Sequence, residues 1–119
     1  MAVPPVLIVS LVFDPPVIAF FGPIQETTIK RLNGQLPFLT YNAGSRRKNQ
    51  PVFEFNAQPA PHWTLELRGQ TTDVPSQMAI EIAILDALEE EGGWGLHDCH
   101  AVTMDFEESH KLFFVKKSR

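Results

Sequence analysis

The chain has 119 residues, of which 44% are hydrophobic and 20% charged, and its formal net charge is −4. This length fits one domain, residues 1–119, and the apolar fraction excludes general disorder. The excess of acidic residues gives no basic surface that would bind nucleic acid or an anionic membrane. The single cysteine, Cys99, excludes an intramolecular disulfide and indicates a reducing compartment.

The apolar stretch from Val3 to Ile24 predicts two buried strands and not a signal peptide or a membrane anchor. No Lys or Arg precedes it, and Pro15-Pro16 interrupts it. Its longest unbroken run, Val6 to Phe13, is far shorter than the ~20 residues of a spanning helix. We therefore expect an intracellular protein, cytoplasmic or nuclear. Because this run is apolar on both faces, it also predicts a central strand covered on two sides.

The first half of the chain predicts short strands and one short helix. The helix opens at Gly22-Pro23 and stops at Asn33-Gly34. Its buried stripe comprises Ile24, Ile29 and Leu32. Strands are predicted over Val6–Phe13, Val17–Phe21, Phe38–Asn42, Val52–Phe55 and Trp63–Leu67.

The second half predicts one long helix followed by two strands. The helix runs from about Pro75 to Glu91, and Gly92-Gly93 ends it. The two strands, Trp94–Met104 and His110–Lys117, are joined by an acidic turn at Asp105–Glu108. The expected fold class is therefore α+β, with a mainly antiparallel sheet of about six or seven short strands and two helices.

The long helix has a wider apolar surface than the stripe of an ordinary surface helix. Its apolar positions include Met78, Ile80, Ile82, Ile84, Leu85 and Leu88. A helix with so much apolar circumference must be covered on more than one side, so we expect a second subunit to supply part of the cover. The predicted oligomer interface comprises Met78, Ile82, Leu85 and, from the closing strand, Phe113.

His97-Asp98-Cys99-His100 is the sequence's cluster of metal-ligand residue types. On a strand, His97 and Cys99 lie on one face, so that face offers two ligands where structural zinc needs four. No pattern places a third group to orient a base beside Cys99. We expect no metal, no cofactor and no enzymatic activity. The alternative is a metal- or cysteine-dependent enzyme using His97, Cys99 and His100.

Two charged segments are the predicted partner-recognition elements. Arg46, Arg47 and Lys48 lie in a loop predicted at residues 43–50, without the interleaved aromatics of a nucleic-acid site. The acidic recognition residues are Asp105, Glu107 and Glu108. Solvated loops are the simpler interpretation of both segments.

The C-terminal third has a recognisable order: a helix ending in acidic residues, glycine and an aromatic (Ile84–Trp94), then the closing strand Lys111–Lys117. It resembles the C-terminal region of the GTP cyclohydrolase feedback regulatory protein family. It also resembles the C-terminal domains of potassium-channel-tetramerisation-domain (BTB/POZ) proteins. With the latter, the similarity extends to Val6–Ser10, Tyr41–Gly44 and Asp105–Ser109. An acidic turn replaces the glycine-rich one of these families, so we transfer no binding residues.

The resemblance implies a non-enzymatic module that assembles into rings, often pentamers, and docks on another protein. This agrees with the separate argument from the apolar long helix. We therefore predict a homo-oligomeric protein-interaction or regulatory module with another protein as its partner and no nucleic-acid or membrane contact. The alternative from a different class is a regulator that binds a small molecule, an aromatic amino acid or a pterin-like ligand, at subunit interfaces.

Overall fold

The computed structural model describes residues 5–13, 16–39, 51–58, 60–67, 73–104 and 107–116. Within these ranges the six strands form one antiparallel sheet in the order β3-β4-β2-β1-β6-β5, with two helices. The strands are β1 (Val6–Val12), β2 (Val17–Phe21), β3 (Glu54–Asn56), β4 (His62–Glu66), β5 (Trp94–Met104) and β6 (Glu107–Lys116). The helices are α1 (Glu26–Asn33) and α2 (Val74–Glu91). The predicted α+β class is confirmed.

The hydrophobic core lies between the two helices and one face of the sheet. On β1, the alternating residues Leu7, Val9 and Leu11 are fully buried. Their neighbours on β2 and β6 have the same environment, because Val9 pairs with Phe20 on one side and Leu112 on the other. The helices contribute Ile29, Leu32, Ile80, Ile84, Ala87 and Leu88 to the same cluster. Both helices therefore lie on one face of the sheet.

The chain leaves β2 for α1 through Gly22, whose φ of +140° favours glycine. A Cβ atom at this position would lie 2.5 Å from the carbonyl oxygen of Val6 on the neighbouring strand. The turn therefore requires a residue without a side chain.

Helix α2 begins and ends with clear local signals. The Asp73 carboxylate accepts a hydrogen bond from the Ser76 backbone N–H at 2.9 Å, and Pro75 lies in the first turn. A hydrogen bond from the Ser76 side chain, followed by this backbone bond, lowers the pKa of Asp73 from its ordinary value of 3.8. At the other end, Gly92 has a φ of +90°, and the Lys116 ammonium donates to its carbonyl at 3.0 Å.

Several predicted bounds differ from those observed. The prediction of a strand at Phe38–Asn42 is wrong at its start, because Phe38 ends a 3₁₀ turn (Leu36–Phe38) in which Leu36 and Pro37 are buried. Residues 40–42 of that prediction lie outside the described ranges. The strands predicted at Val52–Phe55 and Trp63–Leu67 are β3 and β4, which are shifted along the chain. Glu107 and Glu108 are also not in a turn, since their backbones pair with Met104 and Thr103 at the start of β6.

The helices of the described ranges are too short or too polar to cross a membrane.

Candidate functional site

Helix α2 has two apolar faces in opposite environments. Its inner face, Ile80, Ile84, Ala87 and Leu88, is at most 1% exposed and packs on the sheet. Its outer stripe comprises Val74 (66% exposed), Met78 (56%), Ile82 (53%) and Leu85 (38%). Steps of four, four and three residues keep these side chains on one side of a helix. The outer stripe is thus a row of large apolar side chains turned away from the sheet.

The outer stripe has a border of one charge sign. Helix α2 contains no Lys or Arg, and its charged residues are Glu81, Asp86, Glu89, Glu90 and Glu91. Asp86 and Glu89 are exposed beside the stripe. Glu81 faces the other way, toward His110 Nδ1 at 3.0 Å. The surface that α2 presents to solvent is therefore apolar with an acidic border.

A groove of about 570 Å³ adjoins the outer stripe, between the end of α1 and α2. Its apolar lining includes Phe38, which is 53% exposed, with Leu39, Ala79, Ile82 and Ala83; Arg31, Gln35 and Asp86 supply polar atoms. Because Ile82 belongs to both features, the groove and the outer stripe form one continuous surface.

The second apolar surface is the face of the sheet turned away from the helices, which we call the open face. Its apolar centre comes from β1, β2 and β6, which contribute Val6, Ile8, Ser10, Val12, Val17, Ala19, Phe21, Lys111, Phe113 and Val115. The register also puts the carboxylates of Glu54, Glu66 and Asp98 on this face, from the outer strands β3, β4 and β5. Val6 is exposed, and most of the others are half-buried. The prediction that β1 is covered on two sides therefore differs from the structure, where the described helices cover one.

Lys111 lies near the centre of the open face. Its half-buried side chain donates hydrogen bonds to Ser10 Oγ at 3.1 Å and Ser109 Oγ at 3.0 Å. Within the described ranges no carboxylate contacts this ammonium. Two residues further on, the Phe113 ring meets the His100 ring edge-on, with centroids 5.6 Å apart.

The four predicted interface residues therefore do not form one patch. Met78, Ile82 and Leu85 lie on the outer stripe, whereas Phe113 lies on the open face. Sequence reasoning missed Val74 and Phe38, which extend the apolar surface around α2. Val74 could have been found, because it continues the four-residue spacing from Met78 and Ile82.

The other predicted site residues divide between described and undescribed segments. Arg46, Arg47, Lys48 and Asp105 lie outside the described residues, and Glu107 and Glu108 are described in backbone pairing alone. These recognition elements stay predictions.

The His97–His100 segment lies on β5, at the end of the sheet. Asp98 and His100 lie on the same face of β5, and Asp98 Oδ2 is 3.2 Å from His100 Nε2. Cys99 pairs with the core residue Leu112, and an irregularity in the register falls between Leu96 and Asp98. Among the described residues no group of three or more His, Cys, Asp or Glu side chains could hold a metal ion.

Glu91 has a structural role that its position at the acidic end of α2 does not indicate. Its Oε1 accepts from the Thr28 hydroxyl at 2.6 Å and the Gln25 backbone N–H at 3.2 Å, and its Oε2 accepts from Trp94 Nε1 at 2.9 Å. One carboxylate therefore joins the start of α1, the end of α2 and the start of β5.

Comparison with known proteins places a second chain in this fold. No family model matches the sequence, and no curated protein matches it. The chain is similar to the solved structure of a conserved kinetoplastid-specific protein from Trypanosoma cruzi, with a TM-score of 0.80 and 29% identity over 98% of this chain and 100% of that chain. The similarity thus spans the whole fold, including the strands and helix that carry the two apolar surfaces.

Proposed function

We propose that this protein is a non-enzymatic protein-interaction or regulatory module that self-associates, in a ring such as a pentamer, and docks on another protein. The outer stripe of α2 carries this proposal. Its large apolar side chains are exposed to solvent, and burying them is favourable by about 25 cal/mol of free energy per Å² of apolar surface. Contiguous exposed apolar surface on a folded chain marks an interaction site.

The groove beside the outer stripe supports the same function. Phe38 and Ile82 line it from two different elements, so the apolar surface is concave and not a single ridge. Concave apolar centres with polar edges are typical of the energetically important parts of protein interfaces. The Arg31 and Asp86 side chains supply such an edge here.

An intracellular site of action, cytoplasmic or nuclear, is part of the proposal. Cys99 is the single cysteine, and its thiol is free and exposed on β5. An exposed free thiol suits a reducing compartment, where it does not form disulfides between chains.

Sedimentation equilibrium at tens of micromolar tests the self-association. We expect the wild type to exceed its chain mass of 13.4 kDa severalfold, and Ile82→Glu to return it to the monomer. Ile82 is half exposed, so this substitution leaves the fold intact. Lys30→Glu, an exposed change on α1, is the matched control and should assemble normally. A wild type that is strictly monomeric contradicts the proposal.

The groove favours one second candidate, a regulator that binds a small molecule. Its volume of about 570 Å³ and mostly apolar lining suit an aromatic amino acid or a pterin-like ligand. A ligand at 100 times its dissociation constant should raise the free energy of unfolding by about 2.7 kcal/mol in a thermal-shift experiment. Phe38→Ala should remove this shift, and a flat screen across amino acids, pterins and nucleotides counts against the candidate.

A further inference from the structure

Lys111 carries a half-buried charge whose described partners are neutral. Its Nζ donates hydrogen bonds to Ser10 Oγ at 3.1 Å and to Ser109 Oγ at 3.0 Å, and both serine side chains are half-buried with it. A charge that is partly removed from water is normally paired with an opposite charge, because neutral groups replace its lost hydration incompletely. Within the described ranges the Lys111 ammonium has no such counterion.

The lysine and the two serines have three hydrogen-bond donors to spare. An ammonium has three N–H donors, and Lys111 uses two of them on Ser10 and Ser109. Each serine oxygen accepts one of these bonds and keeps its own O–H, for which the described part of the chain offers no acceptor. All three groups lie on the open face, since Ser10 pairs with Lys111 and Ser109 is two residues away on β6. One N–H and two O–H donors are therefore available to an oxyanion from outside the described chain.

The three carboxylates of the open face do not neutralise Lys111. One oxygen of Asp98 accepts a backbone N–H at 2.8 Å, and the other lies 3.2 Å from His100 Nε2. Glu66 and Glu54 belong to β4 and β3, which are three and four strands away from β6. At about 4.8 Å per strand this puts them about 14 and 19 Å from Lys111, beyond the Debye length of about 8 Å at physiological salt. The surroundings of Lys111 are therefore locally cationic on a face that is acidic further out.

Apolar side chains border the donors on one side. Phe113 is two residues further along β6, and Ile8 pairs with it on β1, so both are neighbours of Lys111 on the open face. The Phe113 ring is half-buried and meets the His100 ring edge-on, with centroids 5.6 Å apart. A mostly apolar surface with a few convergent polar groups is typical of a small-molecule site, and aromatic rings gain from contact with one another beyond the area that they bury.

We propose that Lys111, Ser10 and Ser109 bind the carboxylate of a small aromatic acid, whose ring lies on Ile8 and Phe113. Hydrogen bonds between charged groups are the strong ones, so the ammonium supplies most of the affinity. A single negative charge suits the site better than a phosphate, because one ammonium balances one charge and the whole chain carries −4. This site is separate from the groove beside α2 and does not depend on the proposed self-association.

Titration of the wild type with three probes tests the ligand class. Phenylacetate should bind saturably, and its neutral counterpart phenylacetamide should bind at least about tenfold more weakly, because it lacks the charge that pairs with the ammonium. Inorganic phosphate should not compete at equal concentration. In ¹⁵N–¹H NMR spectra the largest shifts should come from the backbone amides of Ser10, Ser109 and Lys111. Failure of phenylacetate to bind, or equal binding of the acid and the amide, overturns the proposal, and so does phosphate that binds as tightly.

Substitutions locate the site. Lys111→Met keeps the apolar stem and removes the ammonium, so the affinity for phenylacetate should fall at least about tenfold. Ser10→Ala removes one hydroxyl and should lower the affinity by a smaller factor. Lys30→Met, on the exposed side of α1, is the matched control and should bind as the wild type does. Unchanged binding by Lys111→Met contradicts the assigned site. If circular dichroism shows that this variant is unfolded, the comparison of acid and amide on the wild type decides.

A variant of the groove separates this site from the second candidate function. Phe38→Ala alters the groove beside α2 and should leave the affinity for phenylacetate unchanged, because Phe38 is remote from the open face. If Phe38→Ala abolishes binding and Lys111→Met does not, the acid binds in the groove. That result overturns the site at Lys111 and supports the small-molecule regulator.

Discussion

The inner and outer faces of helix α2 are built from the same residue types and stand in opposite environments. Ile84 is fully buried against the sheet, whereas Ile82, two residues away, is half exposed. Burial in the core explains an apolar residue at Ile84, but it does not explain one at Ile82. The two faces therefore differ in what they do for this chain: the inner face stabilises its fold, and the exposed outer face contributes little to it.

The largest difference between the two faces is expected when the same substitution is made on each. Ile84→Ala should lower the free energy of unfolding by about 2–5 kcal/mol, because it removes buried methyl groups and leaves a cavity. Ile82→Ala, the matched control, should change it by no more than about 0.5 kcal/mol in dilute protein. Urea denaturation of both variants measures the difference. Equal losses would show that the two faces are not distinct.

Substitution of Glu91 measures how strongly the end of α2 is held by its neighbours. Glu91→Ala removes the shared acceptor of Thr28, Gln25 and Trp94, so the free energy of unfolding should fall by about 1–3 kcal/mol. Glu89→Ala, an exposed change two residues earlier, should have almost no effect. Chemical denaturation compares the two, and a loss as large in Glu89→Ala would contradict the specific role of Glu91.

Asp73 caps the other end of α2. Its contribution stabilises the helix as a whole and does not depend on which face is buried. Asp73→Ala should lower the melting temperature at neutral pH by less than Glu91→Ala does, because it removes an exposed cap. The folded-state pKa of Asp73 lies below its ordinary value of 3.8, so the cap's contribution is complete above that pH and is lost as the pH falls through the folded pKa. The difference between wild type and variant should therefore shrink on acidification. Thermal melts across pH measure it, with Thr27→Ala as the exposed control on α1.

The smallest effect on the single chain is expected on the outer stripe. Met78→Ala should leave the unfolding midpoint of dilute protein unchanged, since the side chain is exposed and alanine favours helix. If the chain self-associates as proposed, the midpoint of the wild type at tens of micromolar should exceed that of the variant, because association stabilises the folded state. A midpoint gap that does not depend on concentration would place the role of Met78 within the single chain.

The sequence predicted the regular elements well where local signals were complete. The bounds of β2 and β5 agree with the structure, and α2 begins one residue before its predicted start. Pro75 and Gly92 gave α2 two clear ends. The prediction at Phe38–Asn42 was wrong at its start because Leu36 and Pro37 are buried in a 3₁₀ turn, and a short apolar run does not distinguish that turn from a strand.

The surfaces were harder to predict than the elements. The width of the apolar surface on α2 was visible in its sequence, and the structure has the exposed outer stripe that this width required. The division of Met78 and Phe113 between opposite sides was not visible, because it depends on which face of the sheet the helices cover. Glu91 was missed for the same reason: its three partners come from separate parts of the chain.

The long border strand β5 has a consequence for how chains can meet. It ends the described sheet order, and a free strand edge of its 11 residues is a template for adding further strands, as in fibrils. The Asp98 carboxylate accepts the Cys99 backbone N–H at 2.8 Å, next to the irregular register between Leu96 and Asp98. A negative charge and a bulge at one point interrupt that template. Growth by strand addition at this edge is thereby hindered.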